Sequence, residues 1–179
     1  MLCVISYFLK QKHILFIFLL TLVNGVNAMG LSDAGEVCLF SKMTGVIKLD
    51  GKPAVNAKLI RTVNLNKDIV DETTTDENGY FEFDASFTRT ITKFLPQEFV
   101  ARQVIWVRYN GNEYKMWSGV KREPEENIES RGNPLVVECE LNSETNVKKV
   151  NNSPIISLCT WDAKADEKPD IEEMMKLVK

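Results

Sequence analysis

The single histidine of the 179-residue chain, His13, lies in a stretch that reads as a leader, so residues 29–179 contain no imidazole. Without one there is no Ser-His-Asp or Cys-His pair, because the general base is missing. Histidine-ligated zinc, copper and non-haem iron sites fall away too, as does a histidine pH switch. Carboxylate or lysine chemistry remains formally open. Asp71 with Asp76 is the pair to consider for acid–base work, yet nothing in their spacing holds the two together. No catalytic residue and no cofactor is assigned, and the chain is expected not to be an enzyme.

Cys38, Cys139 and Cys159 follow the leader, a number that suggests one disulfide and one odd thiol in an exported chain. Cys139 and Cys159 fall on two β-rich stretches, symmetric about a polar turn near residue 149. An antiparallel hairpin would set them opposite each other, within the ~4.4–6.8 Å Cα separation a disulfide spans. Cys139–Cys159 is therefore the expected bond, closing a loop worth ~3 kcal/mol. Cys38 with Cys159 is the competing pair. In the first assignment Cys38 stays a thiol, buried in the first strand as a small hydrophobe.

Asp76-Glu77-Asn78-Gly79 carries oxygen side chains as a calcium loop does, but lacks the bidentate Glu at EF-hand spacing. Asp, Asn and Gly are also what a plain turn requires, and no metal site is expected. Trp106, Tyr109, Tyr114 and Trp117 sit on one hairpin. Aromatic clusters of this kind bind proteins or sugars, and they also serve as cross-strand packing. With Arg122, Glu125 and Glu126 from the charged stretch 119–133, they form the candidate partner surface. Its expected occupant is a protein, for instance a secreted toxin or effector; the alternative is a carbohydrate.

The elements that must position these residues are β-strands. Asp50-Gly51, Asp76 to Gly79 and Asn110-Gly111 are turn signals between β-rich runs. The runs are 36–49, 54–65, 69–75, 80–83, 99–109, 112–117, 135–141 and 155–161. Ala57, Leu59, Arg61 and Val63 share one face by period two, which makes Arg61 an inward or rim arginine in need of a partner. Seven to nine short strands at such intervals predict an all-β, antiparallel sandwich.

Residues 1–28 have Lys10, Lys12 and His13 ahead of an apolar run from Ile14 to Val23, then Val26-Asn27-Ala28. This is the pattern of a secretory signal peptide, and ten apolar residues fall short of the ~30 Å of a bilayer core. The alternatives are an uncleaved anchor that also uses Leu2 to Leu9, and an internal start at Met29. The expected organisation is a leader at 1–28, a sandwich domain at 29–161 and a charged tail at 162–179. In the tail, Pro169, Asp170 and Glu173 resemble a helix start, with Ile171, Met174, Met175 and Val178 as an apolar stripe; a frayed terminus is the other reading, since so short a helix is marginal alone. The location implied is periplasmic or secreted, with no stable membrane span after cleavage. Lys plus Arg number 22 against 25 Asp plus Glu, so there is no basic excess for nucleic acid.

Two motifs stand in order: Gly45-Val-Ile-Lys-Leu-Asp-Gly51-Lys-Pro53-Ala-Val55-Asn-Ala57-Lys-Leu59, and Thr75-Asp76-Glu-Asn-Gly79-Tyr-Phe81-Glu-Phe83. Together they resemble the carboxypeptidase regulatory-like, transthyretin (prealbumin)-like domain family, across about residues 43–84. Residues 29–179 as a whole resemble a family of small exported prealbumin-like proteins of Gram-negative bacteria. The resemblance implies a prealbumin-like sandwich and a non-catalytic role in folding assistance, adhesion or partner binding. Related folds with hydroxyisourate hydrolase or intradiol dioxygenase activity need histidines that residues 29–179 lack, so neither activity carries over. The function expected is that of a protein-binding module of the bacterial envelope, in its most concrete form an immunity or inhibitor protein that neutralises a toxin. A carbohydrate or cell-surface binding module is the alternative.

Overall fold

Apolar residues on alternate positions build two facing sheets. The computed structural model describes residues 35–90 and 96–167; the leader expected at 1–28 and the helix-like pattern read after Pro169 lie outside them. One sheet contains β2 (Met43–Leu49), β3 (Lys52–Pro53), β6 (Tyr80–Phe83), β10 (Leu135–Glu140) and β13 (Cys159–Trp161). The other has six strands in the order β11 (Asn146–Val150), β12 (Ser153–Ser157), β9 (Asn112–Lys121), β8 (Ala101–Tyr109), β4 (Lys58–Asn64) and β5 (Asp68–Thr74). A two-stranded ribbon joins β1 (Glu36–Phe40) to β7 (Ser86–Arg89). Among the described residues there is no α-helix, only a 3-10 turn at Ile128–Ser130.

The all-β sandwich expected from the sequence is thus present, with more strands than the seven to nine expected. The run 36–49 breaks at Ser41-Lys42, the run 155–161 breaks at Leu158, and the polar turn between the last two runs contains β11. Nor is the sandwich wholly antiparallel, since β2 runs parallel to β10, from Leu135↔Met43 to Glu140↔Lys48. The turn signals fall where they were read. Asp50-Gly51 and Asn110-Gly111 all have positive φ, the conformation of the tight hairpin turns that suit β twist. The carboxylate of Glu140 accepts the Asp50 and Gly51 N–H groups, each at 2.9 Å. Asp76 Oδ1 accepts the N–H groups of Asn78 and Tyr80 at 2.8 Å, a side-chain-capped turn.

Ile47, Phe81, Phe83, Leu135, Val137 and Trp161 face Leu59, Val63, Ile105, Val107, Trp117 and Ile155 across the core. Trp117 and Trp161 meet between the sheets with ring centroids 5.0 Å apart. Arg61 points inward, as its periodicity predicts, and is 1% exposed. Its Nε and Nη2 donate to the two oxygens of Asp71 at 2.9 and 2.5 Å, and Nη2 also donates to the Asp84 carbonyl at 2.7 Å. Nη1 has no hydrogen-bond partner, but the guanidinium lies 4.6 Å from the Phe83 ring and 5.2 Å from Phe40. The aromatic faces offset part of the cost of burying the cation.

Cys139 and Cys159 form the expected disulfide, as register partners in β10 and β13 with Cα atoms 4.0 Å apart. The route between them differs from the expected hairpin. After β10 the chain crosses to the six-stranded sheet, forms β11 and β12 at its edge, then returns. Cys38 is the free, buried thiol, and burial pushes it up to about 11.

Candidate functional site

Two arrangements decide which surfaces are free to act. The first is a buried polar network beneath residues 122–134. Lys121, the last residue of β9, and Glu129, in the 3-10 turn, are both wholly buried and pair at 2.8 Å. Glu129 Oε2 also accepts Ser41 Oγ at 2.5 Å, and Oε1 accepts Gln103 Nε2 at 2.7 Å. Gln103 Nε2 donates to the Leu39 carbonyl as well, and Trp161 Nε1 donates to the Glu129 carbonyl, both at 2.9 Å. Ser41 Oγ accepts the Asn127 N–H at 2.7 Å. Burial alone would raise the Glu129 carboxyl. The Lys121 ammonium, with hydrogen bonds from Lys121, Ser41 and Gln103, outweighs it and holds the acid below its ordinary range.

The charged stretch 119–133 is therefore only in part a surface. Its first three residues belong to β9, and Glu129 and Ser130 are buried anchors. Glu125 and Glu126 remain exposed, while Arg122 is half-buried and ion-paired with Glu98. The tail, too, is fixed at its start. Asp166 accepts Arg131 Nη2 at 2.7 Å and the N–H groups of Asn151 and Asn152 at 2.9 and 2.8 Å.

The second arrangement is the β8–β9 hairpin. Its four aromatics do not form one patch. Strict alternation from Tyr114 would point Trp117 to solvent beside Lys115. A bulge intervenes, with Ile105↔Trp117 followed by Trp106↔Lys115. The extra residue, Met116, turns Trp117 inward, so both are wholly buried. Trp117 is therefore core, not a partner contact. Tyr109 and Tyr114 are half-buried and pack against that core at the hairpin end. Trp106 alone reaches the outer face, 37% exposed, with Lys115 Nζ 5.0 Å from its ring centroid.

Around Trp106 the outer face of the six-stranded sheet carries what the sequence reading missed. Cross-strand register aligns Val147, Ile156, Ser118, Val104, Thr62 and Val70 in one row over all six strands. Five steps of ~4.8 Å make that row ~24 Å long. Val147 is 73% exposed, Val70 57% and Ile156 46%. The neighbouring row holds Lys115, Trp106, Ile60 and Glu72. Pairs frame this strip, Lys58 with Glu72 at 2.8 Å and Arg108 with Glu113 at 2.6 Å. A strip of β-branched residues around one tryptophan, rimmed by charge, has the anatomy of a protein contact.

Residues 43–144 match a family described as a domain of unknown function, DUF6795, and this match covers more than half of the chain. The chain belongs to that family. No curated protein and no solved structure matches it. The DUF6795 segment begins at β2 and ends just past β10. It includes Ile60, Val70, Val104 and Trp106 of the outer strip. Val147, Ile156 and the disulfide partner Cys159 lie beyond it.

Asp71 and Asp76, the carboxylates considered for acid–base work, are engaged separately, by Arg61 and by the turn N–H groups. Among the described residues no group of three or more His, Cys, Asp or Glu is placed to hold a metal ion. The missed strip had a legible signal. Ala101 to Tyr109 carries apolar residues on both faces, Val104 and Trp106 outward against Ile105 and Val107 inward. An antiparallel strand with one wet face has no structural need of the outward pair.

Proposed function

We propose that this DUF6795 protein is a non-catalytic, exported protein-binding module of the bacterial envelope, and that it binds through the outer face of its six-stranded sheet. The observation that carries the proposal is the solvent-exposed strip of Val70, Trp106, Ile156 and Val147 on one face of the six-stranded sheet. The leader-like pattern at 1–28 and the Cys139–Cys159 disulfide support an oxidising compartment, the periplasm or beyond. In its concrete form the protein is an immunity or inhibitor protein that masks a toxin from competing cells. A flat, pre-formed surface suits that role because binding orders little that was free before. A sugar-binding reading has less support, since the Lys115 ammonium occupies a face of Trp106 that a sugar would need.

The test is photocrosslinking in the native host with benzoylphenylalanine at position 106, and at position 136 on the other sheet as the control. One stoichiometric protein adduct from 106, absent from 136, is the expected result. No adduct from 106, or equal adducts from both, refutes the proposal.

A further inference from the structure

The edges of the sheets differ in how they are closed. A strand edge offers unpaired N–H and C=O groups to any extended chain, and native proteins shorten, cover or break such edges. Here β13 has three residues, β3 two, and β6 and β7 four each. At β11, five residues long, the Lys149 carbonyl accepts the Asp166 N–H at 2.7 Å, so that edge is engaged at one point. The seven-residue β5 is the exception. It pairs with β4 in unbroken register from Lys58↔Thr74 to Asn64↔Asp68, and among the described residues it pairs with no other strand. It contains no proline and no lysine, and its residues alternate between exposed and half-exposed along its whole length.

The composition of β5 speaks against a second copy. An antiparallel copy centred on Val70 sets Asp68 against Glu72, and one centred on Asp71 sets Asp71 against itself; like charges directly opposite destabilise a pair. The outward face of β5 instead reads acid, apolar, acid, polar: Asp68, Val70, Glu72 and Thr74. We infer that the free edge of β5 is a strand-addition site for an extended segment of another protein, one that carries basic side chains at alternate positions flanking an apolar residue. Backbone hydrogen bonds along the edge supply the attraction. Asp68, which accepts Asn64 Nδ2 at 2.6 Å, and Glu72, which pairs with Lys58 at 2.8 Å, are both exposed, and their carboxylates select the sequence. The inference rests on the protein-binding reading above. It adds where the partner's backbone engages, at the Val70 end of the exposed strip.

The probe is a blocked heptapeptide with lysine at positions one and five, valine at three and threonine elsewhere. Its controls are the same peptide with glutamate in place of lysine, and one N-methylated at alternate amides. Binding to the folded protein is followed by titration, and amide exchange is read across β5. The lysine peptide is expected to slow exchange in β5 and to bind at least about tenfold more tightly than the glutamate peptide at low salt. N-methylation should abolish binding, and Asp68→Lys with Glu72→Lys should reverse the peptide preference. No protection in β5, equal binding of the two charged peptides, or full binding of the N-methylated one overturns the inference. If that happens while the position-106 adduct persists, the edge fails and the face stands. If the peptide behaves as expected and position 106 gives no adduct, the face fails and the edge stands.

Discussion

Glu129→Gln isolates the Lys121–Glu129 pair with the least change in volume. Each carboxylate oxygen accepts strong donors, Gln103 Nε2 on one, Ser41 Oγ and Lys121 Nζ on the other. An amide keeps one oxygen and sets an NH₂ group against donors at the other position. It also leaves the Lys121 ammonium, wholly buried, without a counter-charge. Breaking a buried pair from one side costs about 3–5 kcal/mol. That is a large part of the ~5–15 kcal/mol that holds a typical domain folded. Urea unfolding followed by tryptophan fluorescence reads the loss directly, since Trp161 Nε1 donates to the Glu129 carbonyl. Lys121→Met is expected to cost a similar amount, because it strands the carboxylate instead.

The double variant Lys121→Met with Glu129→Leu separates charge coupling from packing. Replacing both partners of a buried pair by apolar residues is often close to neutral. The double loss should therefore fall at least about 2 kcal/mol below the sum of the losses of Lys121→Met and Glu129→Leu measured singly. The pH dependence gives an independent check. Glu129 is held below its ordinary range in the folded protein, so the unfolded chain takes up its proton first as the pH falls. Its contribution is complete above about pH 5 and is lost as the pH drops through the lowered folded value. Glu129→Gln should remove that share of the acid-side loss of stability. A Glu129→Gln cost within about 1 kcal/mol of zero, or additive singles, would refute the argument.

Reducing the Cys139–Cys159 bond, which spans 20 residues, should lower stability by about 3 kcal/mol on the loop-entropy account, measured by urea unfolding with and without reductant. Gly45→Ala should destabilise by at least about 2 kcal/mol by the same measurement, because a Cβ there would meet the Val137 carbonyl oxygen at 2.2 Å, across the parallel β2–β10 pair. Cys38, with its thiol pushed up to about 11 by burial, should resist iodoacetamide at pH 8 in the folded protein and react once unfolded; equal rates by mass spectrometry would contradict that placement.

The elements legible in the sequence were those fixed by local rules. Asp50-Gly51 and Asn110-Gly111 specify their hairpins because glycine tolerates positive φ. Leu59, Arg61 and Val63 declare an inward face by period two, and Phe81 with Phe83 does the same. Trp117 misled because a bulge is an offset of one residue, which turns every later side chain to the other face and leaves no mark in composition. Glu129 misled for a different reason. In a stretch of seven charged residues between 121 and 131, nothing local distinguishes the one glutamate that meets a buried lysine. Its partner Ser41 is 88 positions away. The parallel β2–β10 pair is likewise non-local.

These errors share a consequence for function. Sequence reading sent the partner surface to the charged loop and to all four hairpin aromatics, because charge and aromaticity are the usual marks of recognition. In the folded chain the loop's anchor, Glu129, holds up the core, and Trp117 fills it. What remains on the surface is less conspicuous: valines and an isoleucine on alternate positions of different strands, aligned only by register. Valine and isoleucine have high β-propensity on either face, so any one of them is unremarkable alone. Four exposed hydrophobics on two adjacent rows of a single sheet face, ending at β5, the longest edge strand among the described residues, are not explained by propensity. Propensity alone would scatter them over both outer faces. Among the described residues, the outer face of the five-stranded sheet carries only Tyr80 and Val136 of the strongly exposed hydrophobics, near the Lys48–Glu138 and Lys42–Glu82 ion pairs. The asymmetry between two sheets built from the same chain, under the same demand for solubility, is what supports the proposed binding surface on the six-stranded side.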